Sequence, residues 1–282
     1  MSKIQRTGSR TYTKVNGTAY SEFLPHDDEE RDRLILQSNL LLRTFDSRVL
    51  HAPVQLTDAD WVLDAGTGTG TWLQDLAQQT STNPFYIGID IEPSLLPDPH
   101  TLWTNKFTIV HQRLLCGALR RHEWEIAIKE MYRVLKPGGW VQLFEFRIWT
   151  AGPALARQLE LMYRHTQATG TMWRDIAQRL PDFLSRNRFI NVNEDTRRTP
   201  LGAWAGQDGI HSKADLLGLM KGFKAPVLKG GGYGIVKHGA EYDALVEQIL
   251  EEVDNTPGAG IDWTMFLAQK PFNARRGVRS RL

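Results

Sequence analysis

Short apolar runs alternate with longer stretches of helical spacing along most of this chain. Trp61-Val62-Leu63 is short, apolar and closed by Asp64, the pattern of a buried strand running into a turn. Phe85 to Ile89 is a second such run, closed by Asp90; Phe107 to Val110 is a third, leading to His111, Gln112 and Arg113; and Trp140 to Phe146 is another. Trp72, Leu73, Leu76 and Ala77 mark one face of a helix between the first two, and Trp124, Ile128, Met131, Tyr132 and Leu135 mark one before the last. Fully apolar strands joined through helices predict parallel pairing and a doubly wound α/β sheet.

The flanks read as helical. From Asp27 a helix begins with acids in its first turn, favourable against the helix dipole, and carries Leu34, Ile35, Leu41, Leu42, Phe45 and Val49 on an apolar side before Pro53. Beyond Arg147, Leu155, Leu159, Met162, Tyr163 and Thr166 recur at helical intervals, and Met172 to Leu180 gives a segment stopped by Pro181. Phe189 to Val192 reads as a sixth strand, 209–223 and 239–254 as helices, and Trp263 to Ala268 as the last strand. Lys136-Pro137-Gly138-Gly139 reads as a turn, because proline fixes one dihedral and paired glycines permit the next. The polar first 17 residues, with Tyr12 and Tyr20 in or near them, read as a mobile arm, and the basic RRGVRSRL end as a solvated tail.

The turn after Asp64 carries the chemistry. Gly66, Gly68 and Gly70 let the backbone fold tightly and leave amides exposed at the start of the next helix, a place for a small anionic or carboxylate-bearing ligand. A dinucleotide fingerprint starting at Gly66 and Gly68 needs its third glycine at position 71, where this chain has Thr71, so a nicotinamide oxidoreductase is disfavoured. Asp90 closes the second strand and is placed to accept from a ribose hydroxyl pair. His111 and Arg113 stand at the carboxyl end of the next strand, where ligands bind in such sheets; His111 is the candidate general base and Arg113 a candidate for orienting an acidic group. Glu145 lies near the corresponding end of the following strand, and Trp173 and His211 are weaker pocket candidates.

VLDAGTGTGTW (62–72), together with LPHDDEERDRL (24–34), HAPV (51–54), VHQRLL (110–115), LKPGGW (135–140) and PLGAW (200–204), resembles the class I S-adenosylmethionine-dependent methyltransferases, more narrowly their fungal LaeA-like secondary-metabolism group. The resemblance runs from about residue 18 to 271. It implies a Rossmann-like methyltransferase sheet, with an N-terminal arm and helical cap over 1–55 and a methyltransferase domain over 56–282 carrying helical insertions around 152–182 and 209–254. It implies S-adenosyl-L-methionine as cofactor, bound through Asp64, Gly66, Gly68, Gly70 and Asp90, with His111 and Arg113 as catalytic candidates. The implied reaction is methyl transfer to oxygen, nitrogen or sulfur of a small metabolite. The alternative is a regulatory or binding protein that kept the fold.

One interval departs from the family pattern. Only 16 residues, with Pro93, Pro97 and Pro99 among them, separate Asp90 from the strand at Phe107. A helical crossover alone takes at least about ten to twelve residues. The usual third, edge strand and the acidic turn that contacts adenine therefore have no room, leaving Asp98 as the nearest substitute.

Bulk properties narrow the partners. A net charge of +2 gives no field that favours nucleic acid. The single cysteine, Cys116, excludes an intramolecular disulfide and fits a reducing compartment. The eight histidines show no metal-binding spacing, so no metal is expected. With no run of eighteen apolar residues and no signal-peptide core, the expected location is the cytoplasm, with the nucleus as alternative. The expected partners are a small-molecule substrate and, for the alternative, a regulatory protein; no membrane contact is expected, and either a monomer or a homodimer fits.

Overall fold

A computed structural model describes residues 24–90 and 103–272 in full and the backbone of 3–7 and 10–14. At the amino end, β1 (Lys3–Thr7) and β2 (Arg10–Lys14) pair antiparallel where the sequence pattern indicated an arm. The threonines on either side of Tyr12 are strand formers, which accounts for the difference. Tyr20 and Asp98 lie outside the described residues.

The centre is a six-stranded sheet built from β3 (Trp61–Ala65), β4 (Phe85–Ile89), β5 (Phe107–Arg113), β6 (Leu135–Thr150), β7 (Ile190–Pro200) and β8 (Gly260–Gln269). Its order is β4-β3-β5-β6-β8-β7. The first four strands pair in parallel, and β8 runs antiparallel to both β6 and β7. β5 is buried from Phe107 to Gln112, whereas β4 is half exposed, with Phe85 at 52%. Among the described residues no strand lies outside β4, in accord with the short interval after Asp90. Trp61 covers part of this open edge by stacking on Phe85 at 4.5 Å.

Seven helices are described: α1 (Asp28–Thr44), α2 (Thr71–Gln79), α3 (Arg121–Val134), α4 (Pro153–Thr169), α5 (Ile176–Arg186), α6 (Gly206–Lys229) and α7 (Gly239–Asp254). Three sequence readings change. The Lys136–Gly139 turn is absorbed into β6, because pairing jumps from Phe107–Leu135 to Ile109–Trp140 and the intervening residues bulge out of the ladder. The sixth strand is not four residues but runs on to Pro200 along β8. Pro181 does not stop α5: burial of Ile176, Ala177, Leu180, Phe183 and Leu184 offsets the lost backbone bond, at about 1.5–3 kcal/mol per large apolar side chain.

The expected apolar side of α1 is buried at its end, at Leu41 and at Phe45 and Val49 just beyond it, but the first half of the helix turns a polar face inward. Ile35 is exposed, while Glu30, Arg33, Gln37 and Ser38 are buried with Leu40 and Leu41. The start is set by Asp27, whose side chain accepts from the Glu30 backbone N–H at 3.0 Å. Arg33 forks onto Glu30 at 2.6 and 2.9 Å and reaches Asp215 of α6 at 2.8 Å, and Gln37 donates to the other Asp215 oxygen at 3.1 Å. This buried cluster fastens α1 to α6. Removing the arginine leaves two buried carboxylates without their cation, so Arg33→Met is expected to lower the unfolding free energy by about 3–5 kcal/mol. Denaturant titration measures it, and a loss below about 1 kcal/mol, the range of an exposed pair, would contradict the account.

Candidate functional site

The site grows from the turn between β3 and α2. Gly66, Gly68 and Gly70 all have left-handed backbone, with φ of 79°, 51° and 74°, a conformation that L side chains resist. The Gly66 and Thr67 amides donate to Ile89 O at 2.8 and 2.9 Å, and the Gly68 amide donates to Asp90 Oδ2 at 2.6 Å. The loop is thus sewn to the end of β4, while Gly70 caps α2.

Asp64 braces the loop from within the sheet. It is 2% exposed; Oδ2 accepts the Thr67 hydroxyl at 2.9 Å and Oδ1 faces His111 Nδ1 at 2.7 Å. Parallel register puts Asp64 opposite His111, and His111 opposite Gln142 on β6. Gln142 in turn binds the backbone of Val49 and His51, 2.8 Å each, fixing the segment after α1. Burial works against the Asp64 charge, but His111, Arg113 and Thr67 outweigh it and hold its carboxyl below the usual range. Burial pushes the His111 imidazole down and keeps it neutral near pH 7, against the pull of Asp64.

Beside this loop lies a cavity of about 290 Å³. Its glycine-loop end is lined by Gly66, Thr67, Gly68, Asp90 and Arg113; its wall by Leu114–Leu119; and its far end by Phe146, Trp149, Trp173 and Trp263. Arg33 and Gln37 reach it from α1. The four aromatics are all under 10% exposed, with Phe146 and Trp173 centroids 4.9 Å apart and Trp149 and Trp173 6.0 Å apart. The Leu114 backbone is left-handed, φ 57°, and its amide is pinned to Phe144 O at 2.8 Å, which turns the chain into the cavity wall.

Glu145 holds that wall from behind. It is 1% exposed; Oε1 accepts the Leu115 amide at 2.9 Å, and Oε2 has no partner among the described residues. Burial raises its pKa to about 8, against the hydrogen bonds from Cys116 and the Leu115 and Cys116 amides. Burial, with Glu145 beside it, pushes the Cys116 thiol well up, so it is not a ready nucleophile.

The structure brings Gly66, Gly68, Asp90 and Arg113 to one cavity. His111, read from sequence as a general base at the cleft, does not line it. Its ring stacks on Trp72 at 3.8 Å, within 2° of parallel, and lines a small neighbouring cavity of about 40 Å³ that Arg113 also touches. Asp64 likewise stands behind the wall, with both oxygens committed. Trp173 lines the cavity, whereas His211 bonds Gln207 and Arg43 away from it. The sequence reading missed Arg33, Gln37, Trp149 and Trp263; the only local signal was tryptophan three residues past one predicted strand and at the start of another. Among the described residues no group of three or more His, Cys, Asp or Glu is placed to hold a metal ion, and no helix is long and apolar enough to cross a membrane.

A glycine turn after a central parallel strand, with an acid closing the neighbouring strand, defines a Rossmann-like nucleotide-type site at a topological switch point. A methyltransferase-domain family matches residues 30–195, and the chain belongs to that family. It is 27% identical to the N-methyltransferase tcpN of Claviceps purpurea over 90% of this chain and 96% of that one. It is 25% identical to the secondary metabolism regulator laeA of Gibberella zeae over 64% of this chain and 65% of that one. Among solved structures, the cyclopropane synthase MmaA2 of Mycobacterium tuberculosis covers 83% of this chain and 84% of its own at 11% identity and a TM-score of 0.46.

Glu145 supplies a pH test. Between about pH 5 and 8 the folded state keeps a proton that the unfolded chain has lost, so wild-type stability falls as pH rises through that window. Glu145→Gln, which imitates the protonated acid, removes this slope. Its stability relative to wild type is expected to rise with pH by at most about 1.4 kcal/mol per unit. Urea unfolding at intervals across the window measures it; a pH-independent difference would contradict the burial reading.

Proposed function

We propose that the chain transfers a methyl group from S-adenosylmethionine to an oxygen, nitrogen or sulfur atom of a small, planar secondary metabolite. The observation that carries the reading is one continuous cavity with two unlike ends: open glycine backbone with Asp90 and Arg113 at one, and four aromatic side chains at the other. The residues present fit the cofactor. A Cβ on Gly68 would meet nothing within 4 Å, so the loop leaves backbone open to a ligand, and Asp90 can accept ribose hydroxyls from the end of β4. The cofactor supplies an electrophilic methyl group on a sulfonium.

The chain's own contribution is placement and exclusion of water. Phe146, Trp149, Trp173 and Trp263 hold an acceptor ring by stacking and apolar contact. Proximity of two oriented reactants is worth about 7–11 kcal/mol at best, ample for a reaction that needs no strong base when the acceptor is already nucleophilic. Asp64 and His111 act as positioning residues: the neutral imidazole and Thr67 hold the carboxylate that fixes the loop.

The similarity to a secondary metabolism regulator, with the exposed edge at β4, favours a second reading, a protein that binds the cofactor and acts through a regulatory partner. Calorimetric titration with S-adenosylmethionine and S-adenosylhomocysteine tests the shared step. We expect binding at roughly micromolar strength, about −8 kcal/mol, lost in Gly66→Val, whose Cβ would press on Leu115 at 3.1 Å in a left-handed position. No binding by folded wild-type protein would sink both readings. Transfer of a labelled methyl group to a metabolite extract then separates enzyme from regulator.

A further inference from the structure

We propose that the Arg113 guanidinium anchors the carboxylate of the cofactor's amino-acid moiety, an assignment that rests on the cofactor reading above. Arg113 is half-buried and lines the large cavity beside Gly66, Thr67 and Gly68. Among the described residues its guanidinium has no hydrogen-bond or ion-pair partner, and only the charges of Asp64 and Asp75 act on it. The contrast with Arg33 is direct, because Arg33 is forked onto Glu30 and bonded to Asp215.

The acids nearest Arg113 do not answer its need. Asp64 and Asp75 are close enough to be felt as charges, yet neither is bonded to it. The Asp64 oxygens are taken by His111 Nδ1 and the Thr67 hydroxyl. A desolvated guanidinium with five donors and no acceptor is costly to maintain, and a planar anion accepting two parallel N–H bonds is its natural complement. Of the two cavities that Arg113 touches, about 290 and 40 Å³, the larger has room for such a ligand.

Topology then orients the ligand. β4 and β5 flank β3 on opposite sides, so Asp90 and Arg113 stand on opposite sides of the glycine loop. A carboxylate is repelled by Asp90 and drawn to Arg113, whereas a hydroxyl pair is suited to Asp90. A ligand with a carboxylate at one end and a ribose in the middle therefore has a single favourable direction along the loop. The same anion could belong to an acidic methyl acceptor, but the aromatic end of the cavity, where an acceptor belongs, is formed by other residues.

The test compares S-adenosylmethionine with its decarboxylated analogue, which lacks only the group in question. Both are titrated calorimetrically into full-length wild type, Arg113→Met and Arg113→Lys, with thermal melting as the check on folding. Wild type is expected to prefer the carboxylated compound by about 10- to 100-fold, the range for hydrogen bonds to a charged group. In Arg113→Met that preference collapses toward unity while affinity for the decarboxylated analogue stays within a few-fold of wild type. Arg113→Lys, keeping charge without the fork, recovers part of it and supplies the reading if the methionine variant fails to fold. A preference unchanged in the variants, or equal weakening for both compounds, would overturn the assignment and make Arg113 a counter-charge to Asp64. Wild type that binds neither compound would overturn the cofactor reading itself.

Discussion

Asp64 is the group on which the rest of the site depends. A carboxylate with 2% exposure persists only when both oxygens are satisfied, and here one side faces His111 and the other accepts from Thr67. The first contact ties β3 to β5 through side chains as well as backbone. The second fixes the glycine turn, so that its amides meet Ile89 and Asp90. His111 can play this part because its ring is clamped flat against Trp72 and kept neutral by burial. The polar row continues through Gln142 to the segment after α1, so the cap, the sheet and the loop share one buried network.

The open edge at β4 is the complementary feature. Strands of a parallel sheet are normally covered on both faces, yet no residue of β4 is fully buried. What holds it is its pairing with β3, the stacking of Phe85 on Trp61, and the bonds from the glycine loop to Ile89 and Asp90. The loop and the edge strand therefore stabilise one another. A ligand spanning the loop from Arg113 to Asp90 would reinforce this edge strand.

The fold was legible where its signals are local. Trp61 to Asp64, the three glycines and Phe85 to Asp90 announce strand, turn and strand within thirty residues, and the two strands pair in parallel as their apolar runs indicated. Arg113 and Asp90 could be placed because strand ends in such sheets converge on one crevice. His111 could not be placed correctly, because a strand register decides which residue of a strand end faces the cavity and which faces its neighbour's carboxylate. The aromatic end was hidden for a related reason: Phe146 meets Trp263 only through the antiparallel pairing of β6 with β8. The buried charges in the first half of α1 were not legible because the partner of Arg33, Asp215, lies 182 residues away, and no local pattern marks a charged helix face as interior.

The central claim is that the loop braced by Asp64 is a cofactor cradle joined to the edge strand. Amide hydrogen exchange on the whole protein, with and without saturating S-adenosylhomocysteine, tests it most directly. The account predicts slowed exchange confined to residues 66–70, the end of β4 and the wall at 114–118, with α7 unchanged. Unchanged exchange across the glycine loop, or protection centred elsewhere in the sheet, would contradict it.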